Sequence, residues 1–493
     1  MNDQPASVVT RRDFIRRAAC AAVGTVAMTS AIRDLRFMNA ALAQSNINDY
    51  KALVCIFLQG GNDSNNLILP TLVSEYNNYA AIRTPVLAIP QSAILPVTSL
   101  ESDGHTYGLH PSCPELQTLF GEGKLAFLFN TGTLVYPLTR AEYLAGTTAM
   151  PPQLFSHADQ QTQWQTSVPD QPPATGWGGR CADLLNAVQR DAPISLMVSL
   201  AGANTFEVGN VVSQYSVSTS GAISLSLPGT PSGGASTQRL PTLMSILGLP
   251  YPNLQAQAYA AAVEHALNAS SLLNHAISNT AAANYWTNSF PAKVTPPEGG
   301  AAFTSTLSPQ LRMVARLIAA GSTPAPGGFG MKRQIFFCQV GGYDLHTGQT
   351  GYSAGAPDHV LLGAHTNLLA ELSQSMYAFQ RAMEQLGLSN NVTCFTASDF
   401  GRTFPSNGKG SDHGWGSHHL ILGGAVKGQR TYGQFPALTV NGPDDTNTGR
   451  WIPTTAIDQY FATLATWFGV DPGNLPTVFP NIGRFASSNL GFI

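Results

Sequence analysis

The sequence TCFTASDFGRTFPSNGKGSDHGWGSHHLILGGAVKG, residues 393–428, contains the clearest indication of the fold. It begins with an uncharged, β-favouring run ending at Ala397, which is typical of a strand buried on both faces of a parallel sheet. Polar residues start directly afterwards, at Ser398 and Asp399, and a second apolar run covers residues 419–426. Open α/β sheets bind ligands at the carboxyl ends of their strands. We therefore expect an α/β fold with its site in the loop between these two runs.

Other apolar runs of the same kind predict the rest of a mostly parallel sheet. They are KALVCIFL at 51–58, KLAFLFN at 124–130 and KRQIFFCQV at 332–340, with a shorter run at 194–200. Apolar residues spaced by three and four between Leu361 and Leu386 predict a long amphipathic helix after the third run. The stretch from 332 to 397 is therefore a β-loop-α-β unit, for which a right-handed crossover is expected. A helix is also predicted over residues 453–468.

Acidic and histidine residues follow three of these predicted strands. The candidate metal ligands are Asp63, Asp344, His346, Asp399 and His413. Carboxylate oxygens mixed with imidazole nitrogens suit a divalent cation such as Zn, Mn, Mg or Ca, and the residue types do not choose among them. A salt-bridged cluster of loops is the structural alternative.

Two further residues are candidates for catalysis. Arg402 offers a planar guanidinium that can bind phosphate or sulfate. Ser156 follows a proline pair and precedes a polar helical pattern, so it is a candidate nucleophile at a helix N-terminus, where the helix dipole favours negative charge. The alternative is that Ser156 only caps the helix, with Asp159 in its first turn.

Composition limits the partners of the chain. Charged residues make up 11% of its 493 residues and the formal net charge is -3. Because no basic surface is indicated, we expect no nucleic-acid partner.

The N-terminus resembles an export signal. Arg11 and Arg12 precede a weakly apolar stretch at 18–32, and an A-x-A site ends at Ala43. This is the twin-arginine pattern, which predicts a signal peptide at 1–43 and a periplasmic or extracellular mature protein with no membrane span. An N-terminal membrane anchor is the alternative, but the apolar run is shorter than the roughly 20 residues that span a bilayer.

The mature chain, residues 44–493, is expected to form one α/β domain, with residues 200–305 as an insertion or cap. It contains five cysteines. Cys55, Cys338 and Cys394 lie in strand-like runs and are expected to be buried thiols. Cys113 and Cys181 are the two whose positions allow a disulfide.

Four motifs resemble those of a known family, the twin-arginine-exported bacterial proteins of domain of unknown function 1501, which is grouped with the alkaline phosphatase and sulfatase superfamily. The motifs are QGGND at 59–63, SHADQ at 156–160, GGYDLHTGQ at 341–349 and SDFGRTFPSNGKGSDHGWGSHH at 398–419. The resemblance implies an alkaline-phosphatase-like three-layer α/β/α sandwich with an inserted cap region.

The resemblance also implies site residues. Asp63, Asp344 with His346, Asp399 and His413 match the superfamily's metal ligands, and Ser156 is the candidate for its nucleophile. The superfamily commonly has His or Asn directly after the last carboxylate, where this chain has Phe400. That departure implies either one metal ion rather than two, or a rebuilt ligand set that includes Asn62, Gln349 or Asp412.

Two functions follow. The first is an exported metal-dependent hydrolase of phosphate or sulfate esters, acting on a small-molecule or polymer-linked anionic ester. The second is a non-catalytic secreted binding or assembly protein on the same fold. Phe400 favours the second function, and the cluster of Asp, His and Arg favours the first.

Overall fold

The computed structural model describes residues 47–172, 174–189, 192, 194–222, 236–279, 289–324 and 327–493. The predicted signal peptide at 1–43 lies outside the described residues, as do parts of the region at 200–305, whose role as a cap stays a prediction. No helix in the described part of the chain is long and apolar enough to cross a membrane.

The strands are β1 Lys51–Leu58, β2 Ile68–Pro70, β3 Leu95–Val97, β4 Tyr107–Leu109, β5 Leu125–Gly132, β6 Met197–Ser199, β7 Tyr215–Ser218, β8 Gly221–Ala222, β9 Lys293–Val294, β10 Phe303–Thr304, β11 Arg333–Val340, β12 Val392–Ser398, β13 Ser417–Leu422, β14 Thr431–Tyr432 and β15 Thr455–Ala456. The helices are α1 Val73–Leu87, α2 Pro114–Gly121, α3 Arg140–Ala145, α4 His157–Thr166, α5 Trp177–Leu185, α6 Ser236–Leu247, α7 Leu254–Asn279, α8 Leu307–Ser322, α9 Ala364–Gln385, α10 Ile457–Phe468 and α11 Leu475–Val478.

A single large sheet organises the fold. Among the described residues it has ten strands in the order β14-β5-β13-β12-β1-β11-β6-β7-β8, and β15 also pairs with β5. The central pairs β12–β1, β1–β11 and β11–β6 are parallel. Strand β13 runs antiparallel to both of its neighbours, β12 and β5. The predicted α/β fold with a mostly parallel sheet is confirmed.

Helices cover both faces of this sheet, which explains why β1 and β12 have no charged residue apart from Lys51 at the start of β1. Every residue of β12, and every residue of β1 after Lys51, is buried. One group of mutually packed helices consists of α2, α7, α8 and α9, and a second group consists of α4, α5, α10 and α11. Strands buried on both faces are typical of parallel sheets in α/β proteins.

Two predicted elements have shifted boundaries. The strand predicted at 419–426 is found at Ser417–Leu422, and Gly423, with φ +157°, begins the turn that follows it. The last large helix was predicted from residue 453 but begins at Ile457, because Thr455 and Ala456 pair with β5. It ends at Phe468, and Gly469, with a φ of +118°, forms the left-handed cap that glycine favours.

Cys113 and Cys181, the two cysteines whose positions in the sequence allowed a disulfide, are not paired. Both thiols are free and buried. Cys113 immediately precedes α2 and its thiol lies 3.8 Å from the carbonyl oxygen of Leu369 in α9, whereas Cys181 lies in α5. The two residues therefore belong to different helix groups. The buried thiols predicted at Cys55, Cys338 and Cys394 are confirmed.

Candidate metal centre

Three adjacent strands end level with one another beneath the site. Leu58, the last residue of β1, pairs with Val340 at the end of β11 and with Ser398 at the end of β12. The loops that follow these strands therefore begin at the same edge of the sheet. The loop between β12 and β13 joins neighbouring antiparallel strands, so it stays above that edge instead of crossing to the other end.

The carboxylate of Asp344 is the meeting point of the site. Its Oδ1 atom lies 3.1 Å from Nε2 of His346, 3.3 Å from Nε2 of His413 and 3.0 Å from Nη1 of Arg402. Its Oδ2 atom lies 3.4 Å from Nε2 of His157. The Asp344 side chain is 47% exposed, so a ligand from solvent can reach this group. We call Asp344 with His157, His346 and His413 the histidine cluster.

Each imidazole of the cluster is oriented through its other ring nitrogen. Nδ1 of His157 lies 2.6 Å from Oδ2 of Asp399, and Nδ1 of His346 lies 2.8 Å from Oδ1 of Asp412. Nδ1 of His413 lies 2.7 Å from the carbonyl oxygen of Phe155. Metal-binding histidines nearly always donate their second N–H to such a carboxylate or carbonyl.

These partners fix the tautomers. An ionised carboxylate and a carbonyl oxygen only accept hydrogen bonds, so each neutral imidazole carries its proton on Nδ1. In this neutral form each Nε2 presents a lone pair to the centre of the cluster. Nε2 of His346 and Nε2 of His413 are only 2.9 Å apart, so either a proton on one of them or a cation between them must offset the repulsion of two lone pairs.

The spacing fits a small divalent cation. Nε2 of His346, Nε2 of His413 and Oδ1 of Asp344 form a triangle with sides of 2.9, 3.1 and 3.3 Å. Ligands at about 2.0–2.1 Å in a tetrahedral zinc site are about 3.3 Å apart. The ligand atoms of His157, Asp344 and His413 also lie within 4.8 Å of one another.

The surrounding charges favour ionised carboxylates. Burial tends to raise the pKa of Asp344, but the adjacent Arg402 and the neighbouring histidines hold it below its usual value. The hydrogen bond from Asn407 is the main cause that lowers the pKa of Asp412. The hydrogen bond to Asp399 raises the pKa of His157 despite its burial, whereas burial lowers the pKa of His413.

Asp63 lies outside the histidine cluster. Its Oδ2 atom accepts hydrogen bonds from Arg83 and Gln349, and its Oδ1 atom accepts one from Asn65 at 3.3 Å. Burial tends to raise the pKa of Asp63, but the charge of Arg83 and these hydrogen bonds keep it low. The carboxylate of Asp63 is thus fully hydrogen-bonded to protein groups. The side-chain amide of Gln349 is likewise engaged, because it donates to Asp63.

Asp399 and Arg402 support the cluster from beneath. Asp399 is buried and also accepts from the backbone N–H of Gly60 at 3.1 Å, so it orients His157 without facing the centre. The Arg402 side chain is buried as well, and its Nη2 atom donates to the carbonyl of Ser411 at 2.7 Å. In this geometry its guanidinium positions Asp344 instead of pointing to solvent.

Ser156 stands at the N-cap of α4, next to His157. Its hydroxyl donates to Oδ2 of Asp159 at 2.6 Å, and it accepts no capping hydrogen bond from the helix backbone. Phe155, just before it, has a φ of +73°, a conformation that is strained for a bulky residue. Such strain is often found where a side chain must be aimed at a functional site.

Phe400 forms the apolar floor of the cluster. Its ring centroid lies 4.8 Å from that of His157 and 4.6 Å from that of His413. An aromatic side chain offers no metal ligand. It occupies the place directly after Asp399, where the resemblance implied a second set of ligands.

Sequence reasoning missed His157. The residue belongs to the SHADQ motif, but the sequence favoured the neighbouring Ser156, because a serine at a helix N-terminus can act as a nucleophile. The available signal was a histidine at the first position of the predicted helix, directly after Ser156.

The model of the family described as protein of unknown function (DUF1501) matches residues 329–473, which contain the motifs at 341–349 and 398–419. That match confirms the resemblance over this part of the chain. No curated protein matches the chain.

Several solved structures are similar to the chain at low identity. The PsFucS1 sulfatase from Pseudoalteromonas sp. has 10% identity and a TM-score of 0.32, covering 92% of this chain and 74% of its own. The phosphonate monoester hydrolase SpPMH from Silicibacter pomeroyi has 10% identity and a TM-score of 0.32, covering 88% and 77%. The C-terminal periplasmic domain of EcEptC from Escherichia coli, solved in complex with Zn, has 11% identity and a TM-score of 0.28, covering 76% and 73%. Similarities this weak say nothing about activity.

Proposed function

We propose that the protein is a metal-dependent hydrolase of phosphate or sulfate esters, with one divalent cation bound by the histidine cluster. The observation that supports this proposal is the convergence of three imidazole Nε2 atoms on the carboxylate of Asp344. Each of the three imidazoles is held in the required tautomer by a partner at Nδ1. In the alternative, a salt-bridged cluster of loops, the imidazoles would be protonated and would donate from Nε2 to Asp344, and the cluster would bind no zinc.

The donor set favours zinc among the cations considered. Mg and Ca prefer oxygen ligands, whereas imidazole nitrogens suit Zn and other transition metals. A bound cation would act as a Lewis acid that polarises the ester and neutralises charge developing during its cleavage. The partial exposure of Asp344 and His346, 47% and 41%, leaves the centre accessible to a ligand.

Within this proposal Ser156 is the nucleophile and Asp159 accepts its proton. The hydroxyl already donates to the Asp159 carboxylate at 2.6 Å, so the proton moves along an existing hydrogen bond. The serine oxygen forms a bond to phosphorus or sulfur while the bond to the alcohol oxygen breaks, and the departing alkoxide takes a proton from solvent. Water then cleaves the serine ester and restores the hydroxyl, and Asp159 releases to solvent the proton that it took.

The test begins with metal content. Purified mature protein is dialysed with zinc, its metal is quantified by mass spectrometry, and hydrolysis of p-nitrophenyl phosphate and p-nitrophenyl sulfate is measured. We expect about one zinc per chain in the wild type. Because His413 faces the centre and His359 is an exposed histidine outside the cluster, His413→Ala should lose the zinc and the turnover, whereas His359→Ala should keep both. Ser156→Ala should keep the zinc and lose turnover.

The non-catalytic binding protein is the competing function, and the ring of Phe400 against His157 and His413 is the observation that favours it. Zinc bound by the wild type without turnover of either ester would support that function. Absence of zinc from the wild type would contradict both the metal centre and the hydrolase.

We also propose export by the twin-arginine pathway, supported by Arg11, Arg12 and the cleavage site at Ala43. A substitution of both arginines by lysine should leave the precursor in the cytoplasm of a bacterial host, while the unaltered chain reaches the periplasm. Fractionation followed by immunoblotting checks this outcome. Periplasmic mature protein from the doubly substituted chain would rule the pathway out.

A further inference from the structure

Arg450 is attached to the rim of the histidine cluster by two independent contacts. Its Nε atom donates to the carbonyl oxygen of His413 at 2.7 Å. Its guanidinium carbon lies 4.1 Å from the ring centroid of Phe155, whose own carbonyl accepts from Nδ1 of His413. A hydrogen bond and a stacking contact together fix the plane of this guanidinium beside a cluster residue.

The terminal nitrogens of Arg450 have no hydrogen-bond or ion-pair partner among the residues that the structure describes. The side chain is only partly buried, so these donors remain accessible to a ligand. Arg402 differs in both respects, because its side chain is fully buried and its Nη atoms bind Asp344 and Ser411. Arg450 can therefore take the anion-binding role that the sequence suggested for Arg402.

The charge of the site does not exclude an anion. Its negative groups are the carboxylates of Asp344, Asp399 and Asp412, together with Asp159 beside Ser156. A divalent cation with the guanidinium groups of Arg402 and Arg450 would balance these four charges.

We propose that Arg450 binds the tetrahedral oxyanion group of the ester while that group lies on the cation. This inference rests on the proposed metal centre. Arginine donates two parallel N–H bonds to phosphate or sulfate oxygens, and a guanidinium already fixed in position loses little conformational entropy on binding.

The test measures binding of inorganic phosphate and inorganic sulfate to zinc-loaded protein by titration calorimetry. Arg450→Gln removes the charge but keeps hydrogen-bonding ability. Arg381→Gln is the matched control, because Arg381 also stacks on an aromatic ring, at 4.6 Å from that of Tyr377, but lies on helix α9 and pairs with Glu122 and Glu384. Zinc content and thermal unfolding are recorded for each variant.

We expect Arg450→Gln to keep its zinc and to bind the anions about 10-fold to 100-fold more weakly, as for the loss of a hydrogen bond to a charged group. Arg381→Gln should bind them like the wild type. Unchanged anion binding by zinc-loaded Arg450→Gln would overturn the inference and leave the metal centre intact. Loss of zinc from Arg450→Gln would also overturn it, since Arg450 would then be a positioning residue for His413. Absence of zinc from the wild type would overturn the metal centre first, and this inference with it.

Discussion

Asp63 and Arg83 form an ion pair that is almost completely buried, with side chains 2% and 0% exposed. Arg83 also donates to the carbonyl oxygens of Thr403 and Phe404, at 3.2 and 3.0 Å. The pair therefore connects the turn after β1 to the loop that contains Arg402 and His413. A guanidinium here neutralises the strand-end carboxylate that the motif alone suggested as a metal ligand.

Asp63→Asn should destabilise the protein without removing the cation. Breaking a buried pair leaves Arg83 as an uncompensated charge, which costs about 3–5 kcal/mol. Urea unfolding of the metal-free protein measures this loss of free energy, and metal analysis should still give one zinc per chain. The double variant Asp63→Asn/Arg83→Met should recover much of the loss, because it removes the stranded charge. Loss of zinc from an Asp63→Asn variant that is still fully folded would mean that Asp63 is a metal ligand.

Asp399→Asn should weaken the cation site although Asp399 does not face its centre. The carboxylate accepts the Nδ1 proton of His157, and an amide in its place can present its NH2 group and change the tautomer. Substitutions of such supporting residues typically lower metal affinity by about 10-fold to 100-fold. Competition with a zinc chelator gives the affinity.

The exposed Asp358, on the short helical turn before α9, serves as the control for Asp399. Asp358→Asn should bind zinc as the wild type does. Equal zinc affinity for both variants would show that the His157–Asp399 contact contributes nothing to the site.

The strand and motif residues of the site were predictable, but their roles were not. Apolar runs located β1, β11 and β12, because a strand buried on both faces has a distinctive composition. Asp344, His346 and His413 could then be predicted, because they are polar residues at the ends of such strands or in the loop between two of them. Which carboxylate faces the centre depends on contacts between distant segments of the chain. These contacts cannot be read from the spacing of residues in the sequence.

Arg83 illustrates the limit. It lies in helix α1, where no motif marks it, and only the packing of that helix places its guanidinium against Asp63. His157 is similar, because its direction depends on the strained turn at Phe155. Local sequence predicts the element on which a residue lies, and tertiary contacts decide what the residue does.

Gly61→Ala should disturb the floor of the cluster. Gly61 has a φ of +85°, and a Cβ atom there would lie 2.6 Å from the ring of Phe400. The ring must shift, and it packs against both His157 and His413. We therefore expect weaker zinc binding, together with the backbone cost of about 1 kcal/mol for a non-glycine residue at positive φ.

Gly104→Ala is the matched control for the backbone cost alone. Gly104 has a similar φ of +91°, and no atom lies within 4 Å of the Cβ position. In urea unfolding in EDTA, Gly104→Ala should lose only the backbone contribution and Gly61→Ala should lose more, because the Phe400 ring must also shift. Only Gly61→Ala should bind zinc more weakly. Equal zinc affinity in the two variants would mean that Phe400 does not support the cluster.

Asp458, in the first turn of α10, should make the stability of the fold depend on pH. Burial raises the pKa of Asp458 to about 7, although the Ser167 hydroxyl and the charge of Arg180 act in the opposite direction. An unfolded aspartate titrates near pH 4, so between about pH 4 and pH 7 the native state binds the extra proton. Stability attributable to this residue therefore falls as the pH rises through that interval, by up to about 4 kcal/mol.

Asp458→Asn should remove this dependence, because its amide stays neutral. The variant should unfold at higher urea concentration than the wild type at pH 8, and the difference should shrink to near zero at pH 4. Measuring the variant and the wild type at each pH in EDTA cancels the titration of all other groups, including the cluster. Asp358→Asn, which alters an exposed carboxylate, should show no such pH-dependent difference. A variant that is destabilised equally at pH 4 and pH 8 would show that the Asp458 carboxyl makes a hydrogen bond that asparagine cannot replace, and that its titration does not govern stability.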